Sequence, residues 1–263
     1  MHDAAPSLAQ PGGGAPVLDV RDARVVLGGV QVLHGVSLQI HAGEMVALLG
    51  ANGSGKSTLL KALVGVFPLA SGSIRLFSQP ASQRRARRRL GYVPQDHPEG
   101  GTIPATARET VAAGLLGSGA WFLRPRDRRV TEALEAAGMQ EYADRPITAM
   151  SGGQRRRVMI ARALVRTPEI LVLDEPFAGI DLDSQERIAA LFERLHAAGT
   201  TIVVVLHEMG ALEAHLTRAV VIDHGRIIHD GAPAERPLLD PGHEHPVPTT
   251  PETCLGQEMD LEA

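Results

Sequence analysis

The chain has 263 residues, of which 44% are hydrophobic, and its 26 basic and 30 acidic residues give a formal net charge of −4. The length allows one large domain or two small ones with a buried core. The charge excludes a net positive field that would hold the protein on nucleic acid or on an anionic membrane. The single cysteine, Cys254, excludes a disulfide framework and a cysteine-based metal site.

The two ends of the chain differ in composition from its middle. Residues 1–16 have neither the basic start nor the apolar core of a secretory signal, and residues 241–263 are rich in proline, threonine and acids. We expect both ends to be disordered, with a folded domain at residues 17–240. No apolar run approaches the roughly 20 residues that cross a bilayer, which favours a cytosolic chain that meets a membrane only through a partner.

Short apolar or alternating runs in the first third of the chain predict strands, with one segment of helical spacing among them. Gly28 and Gly29 separate the first two runs, as the turn of a hairpin would. We interpret the arginine-rich residues 83–89 as a solvated basic face. The predicted strands are 17–27, 30–40, 45–49, 73–77 and 91–93, and the predicted helix is 58–66.

Apolar residues at three- and four-residue spacing predict a helical insertion at about residues 100–166. Beyond it, strands and helices alternate again, which is typical of an α/β core with a mostly parallel sheet. The predicted helices are 108–116, 127–137, 154–164, 184–196 and 209–216, and the predicted strands are 170–173, 201–206, 219–222 and 226–229.

A glycine-rich segment after the strand at 45–49 matches the pattern G-x-x-x-x-G-K-[ST]. Glycines let the backbone turn its N–H groups toward phosphate oxygens, and the start of the next helix adds a favourable dipole. Lys56 would reach the β- and γ-phosphates, and the Ser57 hydroxyl would be a Mg²⁺ ligand. Chance is a poor explanation, since Lys56 is one of only two lysines in the chain. The candidate nucleotide-binding residues are Gly50, Ala51, Asn52, Gly53, Ser54, Gly55, Lys56, Ser57 and Thr58.

Two carboxylates, Asp174 and Glu175, follow the apolar run at 170–173. Solvated acids at the end of a strand would explain them if they stood alone. The phosphate-binding loop favours another interpretation, in which Asp174 holds Mg²⁺ and Glu175 polarises the attacking water as general base. Together these features predict a P-loop ATPase without narrowing the class further.

The sequence Met-Ser-Gly-Gly-Gln at residues 150–154 narrows the class. It resembles the Leu-Ser-Gly-Gly-Gln signature of ABC ATPases, with methionine for leucine, and it puts a second anion site at a helix start. The resemblance implies an α/β P-loop core with an antiparallel N-terminal β-subdomain and a helical signature subdomain. It also implies a head-to-tail dimer, in which the signature of one subunit closes on the ATP held by the other. The signature residues that would contact this ATP are Ser151, Gly152, Gly153 and Gln154.

Three further segments resemble motifs of the same family, in the same order along about residues 17–235. Gln95 matches the Q-loop and would contact the metal or water and sense a membrane permease. Asp181 matches the D-loop and would act across the dimer interface. His207 matches the switch region and would contact the γ-phosphate, although a lone histidine after a strand is more often structural. The implied catalytic residues are Glu175, His207 and Gln95, and the implied Mg²⁺ ligands are Ser57, Gln95 and Asp174.

The first hairpin departs from the family pattern. ABC ATPases usually place an aromatic residue there to stack on adenine, whereas the matching position is Leu27, with no Phe, Tyr or Trp nearby. We therefore expect adenine to pack on aliphatic side chains, with some use of GTP beside ATP.

Within the family the chain is most similar to the ATPases of zinc and manganese importers, on residues 104–111, 139–147 and 177–181 and on its short helical insertion. The resemblance implies ATP-driven metal import at the cytoplasmic face of a membrane, with a permease and a substrate-binding protein as partners. Importers of iron chelates or cobalt, and exporters of small molecules, remain alternatives.

A different class is an ABC ATPase that acts outside transport, on nucleic acid for example, through the basic residues 83–89. An aromatic content of 3% and the negative net charge disfavour a nucleic-acid partner. His243 and His245 in the tail could bind Zn²⁺ weakly, and we interpret them as solvated residues instead.

Overall fold

The computed structural model describes residues 14–95, 105–116, 122 and 124–237. The predicted tail, with His243 and His245, and most of the predicted lead-in lie outside these residues. Within them, no helix is long and apolar enough to cross a membrane. The strands are β1 (Leu18–Leu27), β2 (Val30–Ile40), β3 (Met45–Leu49), β4 (Ser71–Leu76), β5 (Gln79–Pro80), β6 (Leu90–Val93), β7 (Ile170–Asp174), β8 (Thr201–Val205), β9 (Arg218–Asp223) and β10 (Arg226–Gly231). The helices are α1 (Lys56–Leu63), α2 (Arg84–Arg87), α3 (Ala107–Ala113), α4 (Arg128–Ala136), α5 (Gly152–Leu164) and α6 (Leu182–Ala197).

The strands form two sheets. An antiparallel sheet has the order β2-β1-β4-β5, and its first hairpin turns at Gly28 and Gly29, both at positive φ. A second sheet has the order β10-β9-β3-β8-β7-β6, in which all pairs are parallel except β9 with β10. The predicted α/β fold, with a mostly parallel sheet and an antiparallel N-terminal sheet, is confirmed.

The parallel sheet lies between two apolar cores. Successive residues of β3 alternate between them: Met45, Ala47 and Leu49 enter the core shared with α3 to α6, while Val46 and Leu48 enter the core shared with α1 and the antiparallel sheet. Every residue of β3, β7 and β8 is therefore buried. This is why these strands appear in the sequence as continuous aliphatic runs rather than as alternating ones.

The helical insertion consists of α3, α4 and α5, which contact one another. Helix α3 begins in a capping box, in which Thr106 accepts from the Glu109 backbone and the Glu109 carboxylate accepts from the Thr106 backbone. Helix α5 also contacts β6 and α6. It therefore joins the insertion to the edge of the parallel sheet.

Three helix predictions need correction. The helix predicted at 209–216 is a 3₁₀ helix, Gly210–His215, whose first residue has a φ of 45° that a regular α-helix does not allow. Helices α1 and α5 both begin two residues before their predicted starts. The sequence also gave no indication of α2, a single turn inside the basic segment 83–89, where Ala86 is buried and the arginines are largely exposed.

Candidate active site

The loop between β3 and α1 has a glycine backbone that other residues would not tolerate. Gly50, Gly53 and Gly55 have φ values of 154°, 78° and 108°. A Cβ on Gly50 would lie 2.2 Å from the carbonyl oxygen of Ile222, so this loop packs directly on β9. The Ser54 hydroxyl is buried in the loop and, within the described part of the chain, has no hydrogen-bond partner. Such an orphaned hydroxyl in a glycine cradle fits a loop that binds an anion.

Lys56 is buried within the same loop. Its ammonium donates to the carbonyls of Gly50, at 2.7 Å, and Ala51, at 2.8 Å. Burial lowers the pKa of Lys56, and the nearby carboxylates of Glu175 and Asp174 act in the opposite direction. The two hydrogen bonds hold the Lys56 side-chain nitrogen at the loop, where it would meet the phosphates of a nucleotide.

The last residue of β7, Asp174, is only 1% exposed. The Ser57 hydroxyl donates to its Oδ1 at 3.0 Å, and burial raises the pKa of the Asp174 carboxyl. A hydroxyl and a carboxylate side by side are the oxygen ligands that Mg²⁺ takes beside phosphates. The two residues therefore fit the metal site that the sequence predicts for them.

Three neighbouring strands bring three predicted residues together at their carboxyl ends. Gln95 follows β6, Glu175 follows β7 and His207 follows β8. The Gln95 amide donates to Glu175 Oε2 at 2.6 Å, and His207 Nε2 lies 2.9 Å from Glu175 Oε1. The Glu175 side chain is 10% exposed and the His207 side chain 48%. A carboxylate held on both oxygens at the mouth of the site is suited to take a proton from water.

The signature residues stand apart from this group and bond mainly among themselves. Ser151 caps α5: its Oγ accepts from the Gln154 backbone at 3.3 Å, and Gln154 Oε1 accepts from the Ser151 backbone at 3.0 Å. Gly153 lies against α6, since a Cβ there would fall 2.1 Å from Ser184 Oγ. Asp181 caps α6 by accepting from the Ser184 backbone at 2.9 Å. Within one chain, then, Asp181 has a local structural role.

Sequence reasoning missed Arg156, which is only 5% exposed. It donates to the backbone carbonyls of Pro94, at 2.9 Å, and Glu175, at 2.7 Å. The available signal was helical spacing, because Arg156 falls on the buried stripe of α5 between Gly153 and Ile160.

The first hairpin presents aliphatic side chains. Leu27 is half-buried against the core of the antiparallel sheet, and Val26 and Val30 beside it are 44% and 66% exposed. The described part of this hairpin contains no aromatic residue.

Comparison with known proteins places the chain in a family. The sequence profile described as "ABC transporter" matches residues 33–178, more than half of the chain. The zinc transport system ATP-binding protein TroB of Treponema pallidum is 41% identical over 204 residues, which are 76% of each protein. The manganese transport system ATP-binding protein MntB of Halalkalibacterium halodurans is 36% identical over 211 residues, covering 79% of this chain and 83% of MntB.

Two further comparisons span more of the chain. The hemin import ATP-binding protein HmuV of Rhodococcus jostii is 35% identical over 258 residues, covering 94% of this chain and 87% of HmuV. The solved structure of CbiO1 of Clostridium perfringens, part of the ABC transporter complex CbiONQ, superposes with a TM-score of 0.73 and 32% identity, over 84% and 90% of the two chains. The chain thus belongs to the ABC transporter family, as an ATP-binding subunit that hydrolyses ATP.

Proposed function

We propose that this ATPase energises the import of a divalent metal ion, zinc or manganese, through an integral-membrane permease at the cytoplasmic face of the cell membrane. TroB and MntB, which are named for zinc and manganese transport, support this cargo. A substrate-binding protein would complete the system. Hemin is the second candidate cargo, because HmuV matches a larger share of the chain at lower identity.

The catalytic proposal depends on one observation, the Glu175 carboxylate held between Gln95 and His207. Glu175 would act as general base and take a proton from the water that attacks the γ-phosphate. Gln95 and His207 would keep the carboxylate in place, and His207 would also contact the γ-phosphate. The chemistry is then mostly positioning and charge stabilisation.

The phosphate groups would bind at residues 50–58, where Lys56 supplies the positive charge and backbone N–H groups supply hydrogen bonds. Ser57 and Asp174, with the amide oxygen of Gln95, would hold Mg²⁺. When bound, Mg²⁺ would neutralise charge on the β- and γ-phosphates. Adenine would pack on the aliphatic hairpin near Leu27, with weak discrimination against guanine.

The signature would serve a second copy of the chain. Helix α5 is 13 residues long and starts at Ser151 with N–H groups that favour an anion. The loop at residues 50–58 would already bind the phosphates of the chain's own nucleotide, so the anion site at Ser151 would be left for the nucleotide of another subunit. We therefore propose a head-to-tail dimer in which Ser151 to Gln154 of each subunit close on the ATP of the other, with Asp181 at the interface.

The substitution Glu175→Gln tests the base. We expect it to retain ATP binding but to lower turnover by about 10²- to 10⁴-fold, and to trap a dimer with ATP. Lys56→Ala should instead weaken ATP binding itself. Affinity for a fluorescent ATP analogue measures nucleotide binding, phosphate release measures turnover, and sedimentation measures dimer formation. Glu135→Gln makes the same chemical change on an exposed face of α4 and serves as the control. Normal hydrolysis by Glu175→Gln would refute the assignment of the base.

The cargo needs a separate experiment in the source cell. Cells carrying Glu175→Gln or Glu135→Gln are grown against a rising dose of a metal chelator, with zinc, manganese or hemin added back singly. Metal import predicts that Glu175→Gln cells are hypersensitive and that zinc or manganese rescues them at a far lower dose than the other additions. If Glu175→Gln cells grow like the wild type and have the same metal content, metal import is rejected and the ATPase assignment stays in place.

A further inference from the structure

Helix α5 begins its second turn with a buried arginine. Arg155, Arg156 and Arg157 are consecutive, yet only Arg156 lies on the buried stripe of the helix. A guanidinium so deeply buried is costly unless its N–H groups find acceptors. The acceptors of the Arg156 guanidinium therefore explain how it can be buried.

The guanidinium of Arg156 connects two segments of the active site through their backbones. Nη1 donates to the Pro94 carbonyl at 2.9 Å and lies 3.4 Å from the Gln95 carbonyl, while Nη2 donates to the Glu175 carbonyl at 2.7 Å. The side chains of Gln95 and Glu175 are themselves joined at 2.6 Å. One planar fork thus holds the main chains of the two residues whose side chains form the catalytic pair. A rigid two-pronged donor of this kind is particular to arginine.

The backbone at Glu175 needs such a restraint. Its φ is 47°, in the left-handed region that residues with a Cβ seldom adopt. Conformations of this kind persist only where surrounding contacts hold them, and they cluster at active sites. The bond from Arg156 goes to the carbonyl of this same residue, which stabilises the strained backbone.

We propose that Arg156 is a positioning residue for ATP hydrolysis, which sets the Glu175 carboxylate and the Gln95 amide by anchoring their main chains. The inference rests on the proposed role of Glu175 as the base. Without Arg156, the Glu175 backbone relaxes and its carboxylate shifts from the attacking water. The backbone bonds of Arg156 go to Pro94, Gln95 and Glu175, outside the nucleotide-binding loop at residues 50–58, so we expect that loop to stay in place.

The test replaces Arg156 with methionine, which has similar length and no donor. A displacement of about 1 Å at a catalytic group costs up to roughly 10²-fold in rate, so we expect kcat to fall by about 10- to 100-fold. The KM for ATP should change less than about threefold, because binding of ATP is not the property that is lost. Arg166→Met is the matched control: Arg166 follows α5, is half-buried and also donates to two backbone carbonyls, those of Gly114 and Leu116, away from the active site. It should keep kcat.

A merely structural role is excluded by combining Arg156→Met with Glu175→Gln. If Arg156 acts mainly through Glu175, the further loss of single-turnover rate that Arg156→Met causes in the Glu175→Gln background is smaller than its loss in the wild type. The same fold-loss in both backgrounds, or an unchanged kcat of folded Arg156→Met, would overturn the proposal. If methionine prevents folding, Arg156→Lys keeps the buried charge without the two-pronged fork and should show the same loss of kcat. Normal hydrolysis by Glu175→Gln would instead mean that the proposed function has failed.

Discussion

The two adjacent glycines of the signature should respond very differently to alanine. A Cβ on Gly153 would lie 2.1 Å from Ser184 Oγ and 2.5 Å from Ser184 Cβ, far inside contact distance. A Cβ on Gly152 would meet its nearest atoms, Gly179 O and Ile180 Cγ2, at 3.6 Å, an ordinary contact. Rotation of the Ser184 side chain can move its Oγ but not its Cβ. Gly153→Ala therefore has to push α5 and α6 apart.

Both substitutions lie in the first turn of α5, so both gain similar helix propensity, up to about 1 kcal/mol. Their difference is the cost of overpacking, about 1–3 kcal/mol. For a protein of this size each kcal/mol shifts Tm by about 2–4 °C, so Gly153→Ala should melt about 2–12 °C below Gly152→Ala. Thermal unfolding followed by circular dichroism measures both variants under the same conditions.

Ser184→Gly supplies the internal check, because it removes the Cβ that Gly153→Ala would meet. The loss in the double variant should be smaller than the sum of the two single losses, since the clash is gone. Equal melting temperatures for Gly152→Ala and Gly153→Ala, or strictly additive losses with Ser184→Gly, would refute the close packing of α5 on α6.

Two further predictions concern charged pairs. Arg218 bridges the carboxylates of Asp230 and Glu44, and all three side chains are at least four-fifths buried. Arg218→Met would leave these buried carboxylates without their partner, so it should lower the free energy of unfolding, measured in urea, by about 3–5 kcal/mol. Arg187 and Asp183 form an exposed pair for comparison, and Arg187→Met should lower the free energy of unfolding far less, because water screens an exposed pair; equal losses for the two variants would contradict this reasoning. Asp127 caps α4, and its bond to the Arg129 side chain lowers the pKa of its carboxyl to about 2. The charged carboxylate therefore stabilises the fold at a pH above 3.8, the pKa in the unfolded chain, and this stability is lost as the pH falls toward 2. Asp127→Asn should therefore melt below the wild type near neutral pH, with the gap closing in acid; a gap independent of pH would rule out the charge as its cause.

The residues that we propose to act through their side chains stand out in the sequence, and their roles stay predictions. The phosphate loop follows β3, Asp174 is the last residue of β7 and Glu175 follows it, and the burial of both strands makes them visible as unbroken aliphatic runs. Since β6, β7 and β8 are adjacent and parallel, the residues after them meet at one edge, which brings Gln95 and His207 to Glu175. The sequence predicted a mostly parallel sheet, but the order of its strands was not predicted and is known from the structure.

The contacts that Arg156 makes with backbone carbonyls could not be predicted. Arg156 bonds to carbonyl oxygens, which every residue carries, so its partners leave no mark in the sequence. A run of three arginines is typical of a solvent-exposed segment. Only the three-residue spacing from Gly153 indicates that the middle one, Arg156, is buried. Asp181 illustrates the reverse case: the motif suggests a partner subunit, while in the single chain its carboxylate caps α6.

Several of the contacts described above involve one helix, α5. Helix α5 begins with the signature, packs Gly153 on Ser184 of α6, and places Arg156 on the main chains of Gln95 and Glu175. Any shift of α5 against the ends of β6 and β7 therefore moves the catalytic pair and the signature together, because a close-packed interior transmits displacement rather than absorbing it. On the proposed mechanism, a subunit whose signature closes on its partner's ATP would set its own Glu175 by the same motion. Arg156 would then be one contact that links the signature helix to Glu175 of the same subunit.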